Sequence, residues 1–356
     1  MKVTALIMAG GKGERFWPKS RQNCPKQFID ITNSGKTMIQ LTVHRILPLI
    51  NIEDIYIVTN SQYKDIVQTQ LPQINHNNII CEPAGRNTAP CIGLGAAYIL
   101  KKEEDAMVVV LSSDHTIKYE DIFRKTLKQA IHVAAEKLNI VTIGIAPNIP
   151  ETGYGYIKQG SLSNGSANVV EYFVEKPDKK TALEYLKDGN YLWNSGMFVW
   201  KASTIMALLQ LYLPNIYAGL RDIQEAIGTN QEEQILNEIF LKFPSESIDT
   251  GVIEKTDNLY VLRGEFGWDD VGSWRAIERS VDGDEQNNIA IGNVELVDTT
   301  DCIIISHEKK LVATVGLNDV VVVDTEDVTL IGNKDSMERI KTILQLLKDK
   351  GKKEYL

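Results

Sequence analysis

The sequence has few of the features that would fix its surroundings at once. Only four of its 356 residues are cysteines (Cys24, Cys81, Cys91 and Cys302), and they are scattered, with no C-x-x-C pair. That spacing excludes a disulfide framework and points to free thiols in a reducing cytoplasm. Long hydrophobic runs are missing too. The N-terminal run VTALIMA, residues 3–9, ends at Gly10. It is short for a signal peptide and far too short for a membrane span. Positive charge is in deficit, with 38 Lys and Arg against 47 Asp and Glu, a formal charge of -9. A general nucleic-acid binder would show a basic face instead, whereas a small anionic ligand at one local site remains compatible. No nucleic-acid or membrane partner is therefore expected. Hydrophobic residues make up 43% and charged residues 24%, as in soluble globular proteins. The length suits one large domain and a smaller one.

What is present is an alternation. Short, β-branched apolar runs stand at 3–9, 54–59, 78–81, 107–113 and 140–146, continuous as in strands covered on both faces. Between them the spacing predicts helices over 37–50, over 89–102 with Pro90 in the first turn, and over 120–137. In the last of these Ile122, Phe123, Leu127, Ala130 and Ile131 recur at helical intervals. Strand and helix in repetition predict an α/β fold, a Rossmann-like doubly wound mixed sheet. Near Asp282 the pattern changes. Runs at 289–294, 302–306, 311–315, 320–323 and 328–331 follow with no helix between them, which predicts a small left-handed β-helix-like segment. A last helix follows, with Ile340, Ile343, Leu344 and Leu347 on its apolar face and Asp335 with Glu338 as a capping-box-like start. The polar stretch DGDEQNN divides the chain into domains at 1–283 and 284–356.

Against the global acidity, residues 12–26 hold five cations (Lys12, Arg15, Lys19, Arg21 and Lys26) and one acid, Glu14. They follow a glycine-rich turn, GGKGER, at the end of the first strand. The dinucleotide fingerprint would need glycine where Phe16 stands, and a P-loop would need Ser or Thr where Gly13 stands. What remains is a turn at the edge where open α/β sheets bind ligands. Glycines let backbone N–H groups approach phosphate oxygens. Arg15 can fork onto two such oxygens, while Lys26 supplies a point charge. The plain alternative is a solvated turn with incidental charges.

The pattern L-x-M-A-G-G-x-G-x-R-x-W-P-x-S, with P-K-Q-F downstream, resembles the signature of sugar nucleotidyltransferases. Phe16 to Ser20 and Pro25 to Phe28 bring it nearest to the mannose-1-phosphate guanylyltransferases. The resemblance implies that the loop holds a triphosphate through Ala9, Gly10, Gly11 and Gly13, with Arg15 and Lys26 as catalytic cations. EPAGRNTAP (82–90) is similar to the family's base-pocket segment. Guanine presents N1–H and N2–H2 donors, which a carboxylate or a backbone carbonyl can accept, and Glu82 or the backbone near it is the candidate acceptor. Asn87 and Thr88 either touch nucleotide or cap the helix. SSDHTI (112–117) ends a strand with Ser113 and Asp114. A carboxylate at a strand tip can hold Mg2+ against phosphates, although a lone Asp there is more often a turn or cap. His115 needs no role as a base, because a phosphate monoester is already largely a dianion at neutral pH.

TGYGYIK (152–158), VEKPD (174–178) and WNSGMFVW (193–200) resemble the family's sugar-phosphate motifs. They imply Gly155 for backbone access, Glu175 for two sugar hydroxyls, Lys176 for the phosphate and Asn194 for a hydroxyl. A core strand after a turn is the plain reading of WNSGMFVW. In GWDDVGSW (267–274) Asp270 matches the second metal-holding aspartate, with Asp269 as competitor, since adjacent carboxylates on an extended segment point apart. IDTGVIEK (248–255) departs from the family's S-I-D-Y-x-I/V-M/L-E pattern at Thr250 and Gly251. The resemblance thus implies Mg2+-assisted transfer of GMP from GTP to mannose 1-phosphate. The alternatives are glucose or a heptose as the sugar, another NTP, or a silent nucleotide-sensing homologue. A homodimer through the C-terminal strands is expected, and no isomerase activity.

Overall fold

A computed structural model describes the chain except for Lys12, Glu104, Lys137, Leu138, residues 164–166 and Glu175. The order begins with β1 (Val3–Ala9), α1 (Met38–Ile46), β2 (Ile55–Asn60), α2 (Lys64–Gln70) and β3 (Ile79–Glu82). Next come α3 (Thr88–Lys102), β4 (Met107–Ser112), the two-residue β5 (Thr116–Ile117), α4 (Glu120–Ala135) and β6 (Ile140–Ile145). β7 (Tyr156–Ser163), β8 (Ala167–Val174), α5 (Lys179–Asp188) and β9 (Tyr191–Lys201) lead to α6 (Ala202–Tyr212), α7 (Pro214–Ala226) and α8 (Glu232–Phe240). The single-turn α9 (Ile248–Gly251), β10 (Leu259–Gly264) and β11 (Trp268–Asp269) follow. The last strands are β12 (Ile289–Ile291), β13 (Val294–Val297), β14 (Ile303–Ile305), β15 (Val312–Val315), β16 (Val320–Asp324) and β17 (Thr329–Asn333), and then comes α10 (Ile340–Asp349).

The contacts group the residues into two compact units. The first comprises Met1–Gly10, Val43–Ser113 and Tyr119–Trp268. It holds one nine-stranded sheet in the order β3-β2-β1-β4-β9-β6-β10-β8-β7. Strands β3, β2, β1 and β4 run parallel, while β9 inserts antiparallel between β4 and β6. The sheet is therefore mixed, as expected of this fold class. Side chains alternate across it. Leu6, Tyr56, Val58, Val108 and Val110 bury one face against α3, α6 and α7. The α4 helix packs on β4, β6, β9 and β10. Burial on both faces is why these strands read as unbroken apolar runs.

The second unit comprises Gly11–Thr42, Asp114–Lys118 and Asp269–Leu356. Packing joins the glycine-rich loop to the residues after Asp269. The reason is a shared core: Phe16, Trp17, Ile31 and Met38 bury against Val271, Trp274, Ile303, Val321, Ile340 and Leu344. Within this unit the C-terminal strands form stacked coils. The pairs Ile303↔Val321, Val294↔Val312 and Thr300↔Asn318 are parallel, with partners 18 residues apart. The coil repeats at its corners as well: Asp298 (φ 45) is followed one coil later by Gly316 (φ 65), and Asp301 (φ 51) by Asp319 (φ 56). Aspartate and glycine are among the residues that enter this left-handed region most readily. Cys302, Ile304 and Val322 fill the coil interior, while Ile303, Ile305, Val321 and Val323 face the loop's aromatic residues.

Two local expectations need correction. The helix predicted over 37–50 ends at Ile46. The capping box of Asp335 and Glu338 does not form: a 3-10 turn over Lys334–Arg339 precedes α10 without a side-chain cap, and Asp335 instead pairs with Arg275.

Candidate active site

The second unit gathers two of the loop cations, Arg15 and Lys26, and the carboxylates of Asp114 and Asp270 around one cavity of about 330 Å³. Gly13, Glu14, Arg15, Phe16, Lys26, Asp114, His115, Asp270, Val271, Gly272 and Lys341 line it. Gly13 makes the arrangement possible. Its φ is +58, and a Cβ there would stand 2.4 Å from the Lys26 backbone nitrogen. Only glycine permits that approach. Ser20 Oγ donates to the Gly13 carbonyl at 2.7 Å, and Gln27 Nε2 to that of Gly11 at 2.9 Å. The Ser and Gln of the two sequence motifs thus brace the loop. Phe16 and Trp274 meet edge to face at 5.0 Å between centroids.

Lys26 is buried, and its ammonium lies 5.6 Å from the Phe16 ring centroid. Nζ donates to Asp114 Oδ2 at 3.0 Å and to the Asp270 carbonyl at 2.5 Å. Burial pushes the Asp114 carboxyl up, but the charges of Lys26 and His115 and the bond from Lys26 outweigh it, so its pKa lies below the ordinary aspartate value. Asp114 is therefore ionised at neutral pH. Thr116 Oγ1 donates to the Asp269 carbonyl at 3.4 Å, joining the Asp114 segment to the Asp270 segment.

The two adjacent aspartates separate as alternation requires. Asp269 is buried and paired with Arg279, and it accepts from the Val271 N–H at 2.7 Å. Asp270 lines the cavity. Between Asp270 and Gly272, Val271 has φ 46, a strained conformation for a β-branched residue, held by that bond and by complete burial. Sequence reading missed this strain. Arg15 is exposed, with Nη1 3.5 Å from the Gly272 carbonyl, to which it donates.

The first unit carries the remaining candidates. Ala9 and Ser113 are buried at the ends of neighbouring strands. The Ala9 carbonyl accepts from Thr59 Oγ1 at 2.9 Å, and the Ser113 N–H donates to the Met8 carbonyl at 3.1 Å. Gly10 sits beside Glu82, since a Cβ there would meet Glu82 Oε2 at 3.4 Å. Glu82 is 3% exposed, and its Oε1 has no hydrogen-bond partner among the described residues. Burial raises its pKa from 4.5 to about 7, opposed by the hydrogen bond from the Cys91 thiol. Asn87 caps α3, accepting from the Thr88 N–H at 2.8 Å. Thr88 Oγ1 accepts from the Ile248 N–H at 2.8 Å. Both residues are thus engaged in structure.

Among the sugar-side candidates, the Asn194 N–H donates to the Gly155 carbonyl at 2.8 Å. Its Nδ2 donates to Asp249 Oδ1 at 2.9 Å, and its Oδ1 accepts from the Gly196 N–H at 3.1 Å. Asp249 was not foreseen. It lies in the IDTG segment, where only Thr250 and Gly251 drew notice, and it ties the WNSG strand to Ser247. Lys176 is exposed two residues past β8, with φ 39. Glu175 lies outside the described residues.

The raised Glu82 pKa makes a testable statement about stability. A carboxyl held neutral in the fold stabilises fully below 4.5 and loses that contribution as pH rises through about 7. In the protein without nucleotide, Glu82→Gln should remove a pH-dependent loss of up to about 3 kcal/mol across that window. Denaturant unfolding from pH 4.5 to 8 reads it, and parallel curves for both proteins would refute the shift.

A nucleotidyl transferase family model matches residues 4–287, and one described as the mannoseP isomerase/GMP-like beta-helix domain matches residues 292–347. Mannose-1-phosphate guanylyltransferase 2 of Escherichia coli O157:H7 is 38% identical over 366 residues, covering 99% of this chain and 75% of that protein. The mannose-1-phosphate guanylyltransferase of Klebsiella pneumoniae is 38% identical over 356 residues, with 98% and 75% covered. A crystal structure described as a mannose-1-phosphate geranyltransferase from Thermus thermophilus superposes with a TM-score of 0.89 at 34% identity, over 98% of this chain and 100% of the other. With the loop, the mixed sheet and the coil all accounted for by these matches, the chain belongs to the nucleotidyl transferase family, among the mannose-1-phosphate guanylyltransferases.

Proposed function

We propose that the chain transfers GMP from GTP to α-D-mannose 1-phosphate, releasing pyrophosphate and GDP-mannose. The observation that carries this reading is the cavity where Arg15, Lys26, Asp114 and Asp270 converge beside the glycine-rich turn, in a chain of guanylyltransferase family. A sugar-phosphate oxygen forms the new bond to the α-phosphorus as the bond to pyrophosphate breaks, so no protein nucleophile is needed. The chain's task is positioning and charge neutralisation. Arg15 and Lys26 take phosphate oxygens. Glu82 Oε1, a buried acceptor without a partner among the described residues, suits the N–H donors of guanine. Ala9, Gly10, Gly11, Gly13, Asn87, Thr88 and Ser113 frame the nucleotide. Gly155, Glu175, Lys176 and Asn194 take the sugar phosphate, with Asp249 orienting the Asn194 amide.

Mg2+ is the metal proposed. Two carboxylates on one cavity, Asp114 being ionised, suit a cation that uses one or two carboxylates and completes its shell with phosphates and water. Asp114 and Asp270 would hold it, and Asp269, committed to Arg279, would not. Bound there, the ion would neutralise charge on the reacting phosphates. Four unpaired cysteines favour a reducing cytoplasm.

The activity is read by pyrophosphate release with Mg2+, each of four NTPs, and mannose or glucose 1-phosphate. Turnover should be confined to GTP with mannose 1-phosphate, and another productive pair would overturn the base or sugar assignment. Asp114→Asn and Asp270→Asn should each lower kcat by about 10² or more, whereas Asp269→Asn should mainly lower Tm. Near-full turnover by Asp114→Asn would sink the metal assignment.

A homodimer through the coil is the proposed assembly. Val297, Leu311, Val315 and Ile331 are exposed there, and Val297 and Val315 are adjacent partners on β13 and β15, an apolar patch of the kind that marks an interface. Sedimentation equilibrium should give twice the chain mass, reduced by Val297→Lys with Val315→Lys. A monomer at micromolar concentration contradicts the assembly.

A further inference from the structure

We infer that Lys341, on the C-terminal helix, is a further phosphate-binding cation of this cavity and holds the pyrophosphate end of the nucleotide. The inference rests on reading the cavity as the triphosphate site. Lys341 lines it together with Glu14, Arg15 and Phe16. Nothing in the nucleotidyltransferase motifs points to it, because it lies about seventy residues beyond the last of them, past the coil.

The helix is fixed against the loop from three directions. Ile340 and Leu344 bury in the cluster that contains Phe16 and Trp17. Lys348, two turns on from Lys341 and therefore on the same face, stands 3.8 Å from Glu14. Beyond the helix, the Tyr355 carbonyl accepts from Trp17 Nε1 at 2.6 Å and from Arg21 Nη1 at 2.9 Å. Lys341 is thereby held at the cavity by elements that also hold the loop.

The charge inventory then assigns its task. Lys26 is bound to Asp114 and to the Asp270 carbonyl, so much of its charge is already answered by the carboxylate. Lys341 is exposed and forms no ion pair with any described residue. It shares the exposed side of the cavity with Arg15. A nucleotide whose α-phosphorus reacts beside the two carboxylates would project its β- and γ-phosphates toward these two cations. A lysine suits that end, since it offers a compact charge without demanding one orientation of the phosphate. Charge gathers on the departing pyrophosphate, so the contact would strengthen as the bond breaks.

The test uses the full-length protein in both directions, synthesis from GTP and pyrophosphorolysis of GDP-mannose. Lys341→Met, which keeps the length and removes the charge, should raise KM for GTP and for pyrophosphate by about tenfold, as expected of a charged hydrogen bond. KM for mannose 1-phosphate and Tm should stay within error, and Lys341→Arg should restore most of the loss. A Lys341→Met protein whose KM values for GTP and pyrophosphate stay within twofold of wild type overturns the assignment while the activity stands. So does one that weakens every substrate alike with a fallen Tm. Wild-type protein that fails to turn over GTP overturns the underlying reading, and this inference with it.

Discussion

The site depends on one buried ammonium. Lys26 Nζ bonds to the Asp114 carboxylate and to the Asp270 carbonyl, two groups far apart in sequence. A buried charge stripped of its partners is strongly destabilising, so the segments carrying Asp114 and Asp270 cannot drift without exposing that cost. The same ion pair keeps Asp114 ionised against partial desolvation, the state a metal needs. Lys26 is itself seated by the close approach of Gly13, and this is why the loop needs glycine at that position.

The C-terminal coil belongs to this arrangement. Its strands are buried twice over, on Cys302, Ile304 and Val322 inside the coil and on Ile303, Ile305, Val321 and Val323 outside it. The outer set packs with Phe16, Trp17 and Trp274. The Phe-Trp-Pro segment of the loop motif is therefore a packing surface as much as a family mark, and α10 closes over it. The glycine-rich loop is in this way tied by packing to residues three hundred positions later.

Much of this was legible in the sequence, for physical reasons. The strands covered on both faces announced themselves as unbroken β-branched runs, and the charge contrast of residues 12–26 marked the loop. Asp270 was separable from Asp269 only through Arg279, a partner ten residues on that no local pattern reveals. The 18-residue coil repeat hid because equivalent corners carry Asp298 and Gly316, residues alike in backbone tolerance and unlike in chemistry. Glu82 reads as an acceptor for the donors of guanine, but its buried oxygen without a partner among the described residues and its raised pKa follow only from packing. Asp249 and Lys341 were missed because each acts across space: one orients an amide, and the other reaches a cavity from a helix that reads as merely amphipathic. The capping box failed because Asp335 found Arg275 instead.

The central claim is that Lys26 sets the charge state of Asp114 and thereby prepares the site. It is tested most directly by titrating the Asp114 carboxyl, by carbon NMR of protein labelled at aspartate, in wild type and in Lys26→Met. With the ammonium gone and burial still opposing charge, the Asp114 pKa should rise clearly above its wild-type value. An unchanged Asp114 titration in a folded Lys26→Met protein would contradict the account.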